Sequence, residues 1–279
     1  MWSTLAKTVA GFLAPTTVLT GLLLYFGFAY TDALYEYFGI DVATMGFSTQ
    51  DYLLRSAGAL YIPVGAGLLA ALAGILGYYW AAGAGASRAG LGRHLGRAGL
   101  VLVVCGLGLF TLGMLGGFQV WPAGALDTPL LLGGGLLLVL YGRLFRLKAR
   151  GQDYPVAREA GALAVAAALV VLSAFWAANV YAQNHGRSDA AYLAANLDLR
   201  PEVVVDTTER LYVQQSGVTE TELPDDREGQ HLRYRYEHLR LLAQSGARMF
   251  VVPMGWRTNG GVVLVLSAGP DVRVAFRRG

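Results

Sequence analysis

The acidic and imidazole side chains that could perform chemistry in the first two thirds of the chain lie between apolar runs. Five of them fall in segments that we assign below to one face of a membrane, namely Glu36, Asp41, Asp51, Asp127 and His185. Carboxylates and imidazoles in one place can transfer protons, so these five could converge into an outer-face site. The more common arrangement is a belt of solvated and snorkelling groups at the membrane surface.

Aromatic and cationic residues recur near the C-terminus and form a second candidate, a surface on which a glycan or peptide could stack. Its members are Tyr234, Tyr236, Trp256, Arg233, Arg235 and Arg257. Such residues more often form the half-buried faces of a sheet. His231 and His238 are seven positions apart with no cysteine nearby, which is not a metal-ligand spacing. The sequence therefore predicts no catalytic residue, no metal and no cofactor.

Composition divides the chain into two parts. Overall, 54% of the residues are hydrophobic and 15% are charged, against roughly 25% charged in soluble domains. Residues 1–182 hold ten Lys/Arg and seven Asp/Glu, whereas residues 183–279 hold twelve of each. We therefore predict a transmembrane domain over 1–182 and a soluble domain over 183–279. The net charge of +3 does not indicate nucleic-acid binding, and the single cysteine, Cys105, is read as a small hydrophobe.

Five apolar runs are long enough to cross a hydrocarbon layer, which takes about 20 residues. They cover about 9–30, 57–82, 100–120, 126–141 and 160–181. The fourth run is the shortest, and whether it truly crosses decides the side of the membrane on which the C-terminal domain lies. The chain is thus expected to be a bundle of five transmembrane helices followed by a small, mainly-β domain.

Lysine and arginine in short loops indicate the orientation of such a bundle. The cytoplasmic side of the membrane is marked by Lys7 and by the eight cations of loops 83–99 and 142–159. The other short loops hold a single cation, Arg55. We therefore predict a multi-pass protein of the plasma membrane, with a cytoplasmic N-terminus and an extracytoplasmic C-terminal domain.

Small residues recur at helical spacing in the second and third runs, where they allow close helix packing. They are Ala66, Ala70, Gly74, Gly99, Gly106, Gly113 and Gly117. These faces could pack within one bundle or form the seam of a homo-oligomer. Apart from Asp127, at the start of the fourth run, no Asp, Glu, Lys, Arg or His lies inside a predicted span, which disfavours ion-coupled transport.

Local signals predict elements outside the spans. Ser48 and Asp51 form a capping box that predicts a helix beginning near Thr49 and continuing into the second span. In the C-terminal domain we predict strands at 202–206, 210–214, 232–236, 239–244, 248–252, 262–267 and 272–276. Hairpins are expected across 207–209, 245–247 and 268–271, and an exposed loop over 219–230. Residues 237–245 could instead be a helix that ends at Gly246.

Three stretches carry a resemblance to known proteins: YFGIDVATMGFSTQDYLLRS at 37–56, LRLLAQSGARMFVVPMGW at 239–256 and VVLVLSAGPDVRVAFRRG at 262–279. They resemble uncharacterised bacterial multi-pass membrane proteins, in which a tyrosine-rich outer loop accompanies a small C-terminal β-domain. The resemblance covers about 25–62 and 200–279 and implies the architecture only.

The function expected from these patterns is non-enzymatic. The bundle would present the β-domain to a partner or ligand, as a sensor or accessory subunit. One alternative is a channel or transporter subunit that oligomerises through the glycine-rich faces. Another is an enzyme that acts on a lipid-linked substrate at the outer interface. The expected partners are the lipid bilayer and a membrane protein or a second copy of the chain.

Overall fold

A computed structural model describes residues 2–85, 89–152, 155–213, 215–224 and 230–277, with the side chains of 2–16, 18, 81–93 and 156 outside the description. The helices are α1 Trp2–Glu36, α2 Val42–Met45, α3 Thr49–Gly85, α4 Ala89–Gly117, α5 Asp127–Ala149 and α6 Val156–Ala195, followed by a 3₁₀ turn at Leu197–Leu199. The strands are β1 Glu202–Thr207, β2 Thr219–Glu222, β3 Tyr234–Ser245, β4 Arg248–Pro253, β5 Leu264–Ser267 and β6 Val272–Arg277. Two compact units result, one formed by 1–59 with 183–279 and the other by 60–182.

Among the described residues, four helices are long and apolar enough to cross a membrane. They contain the second to fifth predicted spans, within Thr49–Trp80, His94–Gly117, Asp127–Ala149 and Ala157–Ala195. The count is thus four, against the five that we predicted. The predicted first span, 9–30, lies in α1. The side chains of 9–16 and of residue 18 lie outside the description. At 37 and 40 residues, α3 and α6 are much longer than the roughly 20 residues that a crossing requires.

Close packing of α4 on α5 holds the second unit together. A Cβ added at Gly106 would lie 2.6 Å from the carbonyl oxygen of Gly135. One at Gly99 would lie 2.6 Å from that of Gly142, and one at Gly113 would meet Leu132. The facing glycines are seven residues apart on both antiparallel helices, so the backbones touch every second turn.

The other small residues of the predicted stripes have different surroundings in this unit. Ala66 and Ala70 line a groove described below. Gly74 lies under the phenol of Tyr141, whose oxygen would be 2.2 Å from an added Cβ. Gly117 lies near the start of α5, with ordinary van der Waals space around it.

Two local caps shape the segment between α1 and α3 in the first unit. The Ser48 amide donates to the Asp51 carboxylate at 2.8 Å, and the Asp51 amide lies 3.3 Å from the Ser48 hydroxyl. The predicted capping box and the start of α3 at Thr49 are therefore confirmed. The Asp41 carboxylate accepts from the Ala43 amide at 2.9 Å, and Gly46 ends α2 in the left-handed region, with a φ of 69°.

The six strands form one antiparallel sheet in the order β5-β4-β3-β1-β6, and β2 also pairs with β3. The antiparallel sheet is as predicted, and the hairpin at 245–247 is confirmed by the pairing of Ser245 with Arg248. Residues 237–245 belong to β3, so the helical alternative is wrong.

Two of the predictions for residues between β1 and β4 are wrong, and the limits of two predicted strands need correction. Residues 210–213 form no strand, because the neighbours of β1 are β3 and β6 rather than the segment that follows it. Residues 219–222, predicted as loop, form β2 along the first half of β3. The strands predicted at 232–236 and 239–244 are one strand, since an irregularity at His238, with a φ of 64°, lets β3 bend without ending.

The predicted hairpin across 268–271 is also wrong, because β5 and β6 lie at opposite ends of the strand order. In a flat sheet those strands would be roughly 19 Å apart. Five Cα steps join Ser267 to Val272 and reach at most about 18 Å. In a flat sheet these two residues would be further apart still, because they align with opposite ends of β3. The sheet must therefore curl towards a barrel. A curled antiparallel sheet agrees with the prediction of an antiparallel sheet or barrel.

Each face of the central strands belongs to a different hydrophobic core. The inner face forms a sheet core of Val203, Val205, Tyr236, Leu239, Met249, Val251 and Leu266. The outer face packs on helix ends and forms a helix-end core of Leu34, Tyr35, Phe38, Val42, Met45, Ala190, Leu197, Leu242, Ala243, Phe250, Val252 and Trp256. The β-structure is thus built into the same unit as the loop between α1 and α3.

Candidate functional site

Aromatic stacking joins the loop after α1 to the loop after β4 in the helix-end core. Phe38 lies 4.7 Å from Trp256, centroid to centroid, with the rings inclined by 46°, and Tyr37 lies 6.2 Å from the same indole. Phe38 is only 4% exposed and Trp256 7%. These rings therefore pack as core residues, in the range where aromatic pairs attract.

Polar contacts hold the same loop against the β3–β4 hairpin. The Ser245 hydroxyl donates to the carbonyl of Gly46 at 3.0 Å. The Arg248 guanidinium donates to the carbonyl of Thr44 at 2.8 Å. Both carbonyls belong to the end of α2, whose last C=O groups have no partner within the helix. The hairpin thereby caps α2 across about 200 residues of sequence.

Trp256 carries a buried polar atom. Its indole nitrogen has no hydrogen-bond partner among the described residues. A Cβ at Gly261 would lie 2.5 Å from that nitrogen and 2.3 Å from the carbonyl oxygen of Arg257. Only glycine fits at 261 beside the buried indole.

Ionisable groups of α1 and α6 meet beside the helix-end core. The Tyr30 hydroxyl donates to the Asp189 carboxylate at 2.7 Å, and His185 Nε2 lies 3.7 Å from the same carboxylate. Arg187 lies 3.4 Å from the Glu36 carboxylate. The close approach of the helices requires Gly186, where a Cβ would be 2.3 Å from the Tyr30 carbonyl oxygen.

Arg55 of α3 reaches this region through aromatic rings. Its guanidinium carbon lies 4.6 Å from the centre of Phe47 and 5.4 Å from that of Tyr35. It also donates to the Tyr35 hydroxyl at 3.0 Å. Cation–π contacts of this kind stabilise by about 0.5–2 kcal/mol, more when desolvated. The single cation of the predicted outer loops is thus held in an aromatic cage.

Asp32 is half-buried between these groups. Burial raises the pKa of its carboxyl, the nearby charges of Glu36 and Asp41 raise it further, and Arg187 opposes them. Asp32 therefore retains its proton more readily than in the unfolded chain. We call this group of ionisable side chains the helix-end cluster, and it consists of Tyr30, Asp32, Glu36, Arg55, His185, Arg187 and Asp189.

The five predicted outer-face residues have three kinds of surroundings. Glu36 and His185 lie in the helix-end cluster. Asp41 and Asp51 form the caps described above, and Asp127 accepts from the Gly124 amide at 3.1 Å in the other unit. The other members of the cluster were missed, namely Tyr30, Asp32, Arg55, Arg187 and Asp189. Asp189 had a signal, since it follows His185 by one helical turn.

The predicted stacking surface needs correction. Tyr236 is fully buried in the sheet core, and its hydroxyl accepts from the Leu211 amide at 2.7 Å. Trp256 is buried in the helix-end core. These two rings cannot contact a ligand, because each fills a core between the sheet and its neighbours. Arg233 and Arg257 are exposed, and Tyr234 is half-buried.

Arg235 has an internal partner instead of a ligand. It makes a two-pronged contact with the Asp206 carboxylate, at 2.8 and 3.1 Å, and Arg273 lies 3.8 Å from the same group. Asp206 is only 4% exposed. The hydrogen bond to Asp206 raises the pKa of Arg235. This ion pair joins β1 to β3 and has a structural role that the sequence did not predict.

The loop between β1 and β2 presents an exposed ring that the sequence reasoning also missed. Tyr212 is 70% exposed and has a φ of 50°, which is rare for a residue with a Cβ. The Arg210 guanidinium lies 5.3 Å from its ring centre and pairs with Glu220 of β2. Strained backbone is common where residues bind partners, so this loop is a candidate contact surface.

In the described part of the chain, no three or more His, Cys, Asp or Glu side chains are grouped closely enough to hold a metal ion. No protein-family model, curated protein or solved structure matches the chain. The function must therefore be argued from the geometry of these residues.

Proposed function

We propose that this chain is a non-enzymatic integral membrane protein that presents its β-domain, outside the cytoplasm, to a protein partner or ligand. The observation that carries the proposal is the helix-end core, in which one face of β3 and β4 packs on the ends of α1 and α6. A domain held in this way is not a loosely tethered module. A partner that shifts the sheet would also shift the helix ends, which suits a sensor or an accessory subunit.

The contact surface that we assign to this function is the loop segment 208–213, with Tyr212 and Arg210 as its centre. An exposed aromatic ring beside a guanidinium is typical of residues that contribute most to protein interfaces. The rings buried in the two cores leave Tyr212 as the most exposed aromatic side chain of the described sheet domain.

The same core supports the proposed topology. Packing of residues 34–45 with 242–256 requires both segments to lie on one side of the membrane. An even number of crossings must then separate them. The four candidate helices α3 to α6 satisfy this, whereas a fourth apolar run that failed to cross would leave three. With α1 as the first of five crossings, the cation-rich loops face the cytoplasm and both packed segments face outward.

Cysteine accessibility tests the topology. In a Cys105→Ala background, Thr44→Cys, Arg248→Cys and Arg150→Cys are each treated with a membrane-impermeant maleimide on intact spheroplasts. All three positions are exposed. We expect labelling at 44 and 248 without lysis, and at 150 only after lysis. Labelling of 44 and 248 from opposite sides would contradict the shared core.

Site-specific photocrosslinking tests the function. A photoreactive amino acid replaces Tyr212 in one variant and the exposed Val265 of β5 in the matched control. We expect a discrete crosslinked species in native membranes at 212, which is lost when Arg210 is also replaced by Ala. Absence of an adduct at 212, together with substrate turnover by the purified protein alone, would refute a non-enzymatic binding role.

A further inference from the structure

An apolar groove of about 450 Å³ opens between α3, α5 and α6 in the second unit. Its walls are mostly small residues, which leave the space empty: Ala66, Gly67, Gly133, Gly134, Ala174 and Ala177. The polar side chains at its edge are Ser173 and Tyr181. A volume of this size is within the range of small-molecule sites.

The groove occupies the same half of all three helices. It extends over 62–70 of α3, 126–137 of α5 and 170–181 of α6. The predicted spans end on that side at 57, 126 and 181. With a rise of 1.5 Å per residue, the groove is about 12–16 Å long, which is half of a hydrocarbon layer of about 30 Å.

Tyr141 closes the groove at mid-depth. Its hydroxyl lies over Gly74 of α3, one turn beyond the last groove residue of that helix. Beyond Tyr141 there is a separate cavity of about 490 Å³, lined by Ile75, Tyr78 and Leu163 among others. The groove therefore extends along only one half of these helices.

We infer that this groove binds one acyl chain of a membrane phospholipid, from the leaflet at the end where α5 begins. That is the outer leaflet under the proposed topology. The walls offer apolar contact along the length of one leaflet, and Tyr181 lies at the mouth, where tyrosine prefers the membrane interface. The inference does not depend on the β-domain having a partner.

The contact area argues against a second copy of the chain as the occupant. A helix about 10 Å wide that lay in a groove about 16 Å long would cover roughly 160 Å². A specific protein interface covers about 800 Å² on each partner. A crossing helix would also have to continue past mid-depth, where the groove ends.

Two groove glycines allow a clean test, because nothing lies within 4 Å of a Cβ at Gly67 or Gly134. Leucine at either position would fill the groove without forcing the helices apart. The matched control is Gly108→Leu, since Gly108 of α4 has the same open space and does not line the groove. Size-exclusion profiles and circular dichroism spectra establish that each variant is folded.

The assay is photolabelling in phosphatidylcholine–phosphatidylglycerol vesicles that contain a phospholipid with a mid-chain diazirine, mapped by mass spectrometry. We expect labels to concentrate several-fold on 62–70, 126–137 and 170–181, and to fall to the level of the outward face of α4 in Gly67→Leu and Gly134→Leu, with no change in Gly108→Leu. Uniform labelling, or labelling unchanged by both groove variants, would overturn the inference. So would labelling by a diazirine fatty acid without labelling by the phospholipid, or a disulfide-linked dimer of Gly67→Cys in a Cys105→Ala background.

Discussion

Removing the ring of Phe38 tests whether the loop between α1 and α3 and the β-domain share one core. Phe38→Ala deletes a side chain that is 4% exposed and leaves a cavity beside Trp256. Large-to-small changes of buried phenylalanine cost about 3–5 kcal/mol, from lost transfer free energy and the cavity. We expect a loss in that range in the free energy of unfolding of the unit, and faster local opening of β4.

The aromatic pair adds a coupling that can be measured separately. With centroids 4.7 Å apart, the two rings should interact by about 0.5–1.5 kcal/mol beyond their buried area. A double-mutant cycle with Phe38→Ala and Trp256→Ala should therefore show a coupling of about 1 kcal/mol. The two residues are more than 200 positions apart in the sequence, so only the fold can couple them.

The assay is pulse proteolysis in urea with the full chain in detergent micelles, complemented by hydrogen exchange of the β4 amides. The control is Tyr192→Ala on α6, whose side chain is 63% exposed and should change stability by less than about 0.5 kcal/mol. A Phe38→Ala loss no larger than that of the control, or a coupling near zero, would refute the helix-end core and the topology argument that rests on it.

Three further outcomes follow from the packing and the charges. Gly106→Ala should destabilise by about 1–3 kcal/mol because its Cβ meets the α5 backbone at 2.6 Å, whereas Gly108→Ala should be neutral or stabilising; equal thermal midpoints in detergent would contradict this. Asp206→Asn should cost about 1.5–3 kcal/mol in urea unfolding, since the two hydrogen bonds from Arg235 lose their charged acceptor; a loss below about 0.5 kcal/mol would contradict a structural role for the ion pair. The raised pKa of Asp32 means that the folded state binds its proton more tightly, so its stabilising contribution is full below pH 3.8 and is lost as pH rises through the folded pKa. Asp32→Asn should remove this contribution from the pH dependence of melting, and Arg187→Gln should move it to higher pH; an Asp32→Asn profile that matches the wild type would exclude the assignment.

The helices and several strands were predictable because each rests on a local signal. The apolar runs need only length and hydropathy, and the start of α3 needs only Ser48 and Asp51. The hairpin at 245–247 follows from a glycine between two apolar runs. Each of these depends on residues within about one element of one another, where propensity and periodicity are most informative.

Strand pairing was not predictable in the same way, because the partner of β1 is not its neighbour in sequence. A hairpin seemed natural across 207–209, yet β1 pairs with β3 and β6. β2 has the composition of an exposed loop, and its four residues are strand only because β3 presents an edge to them. Long-range pairing overrides such local preferences.

The residues of the candidate site were likewise predictable where a local signal exists, and not where the fold decides their surroundings. The acidic residue types of the outer loop were recognised, but two of the carboxylates cap helices instead of meeting a ligand. The rings of Tyr236 and Trp256 were placed on a surface because composition alone does not distinguish a stacking face from a core. Tyr212 was missed, since positive φ at a tyrosine has no sequence signature.

The aromatic loop between α1 and α3 has two physical explanations, a membrane interface or a protein core, and the residue types are the same for both. The strand β4 distinguishes them. Residues Met249–Pro253 are buried without alternation, so both faces of that strand need an apolar partner. The sheet itself supplies one partner, through the sheet core. The second apolar partner must come from elsewhere, because a small domain with balanced charge has little apolar surface left to supply it. Among the described residues, the loop around Phe38 packs on that face of β4. A non-alternating strand in a small domain that follows long apolar helices thus predicts that a loop between two of those helices covers it. Replacing Val252, which faces that loop, by Asp should release the β-domain from the helix ends, while the same change at the exposed Val265 should not.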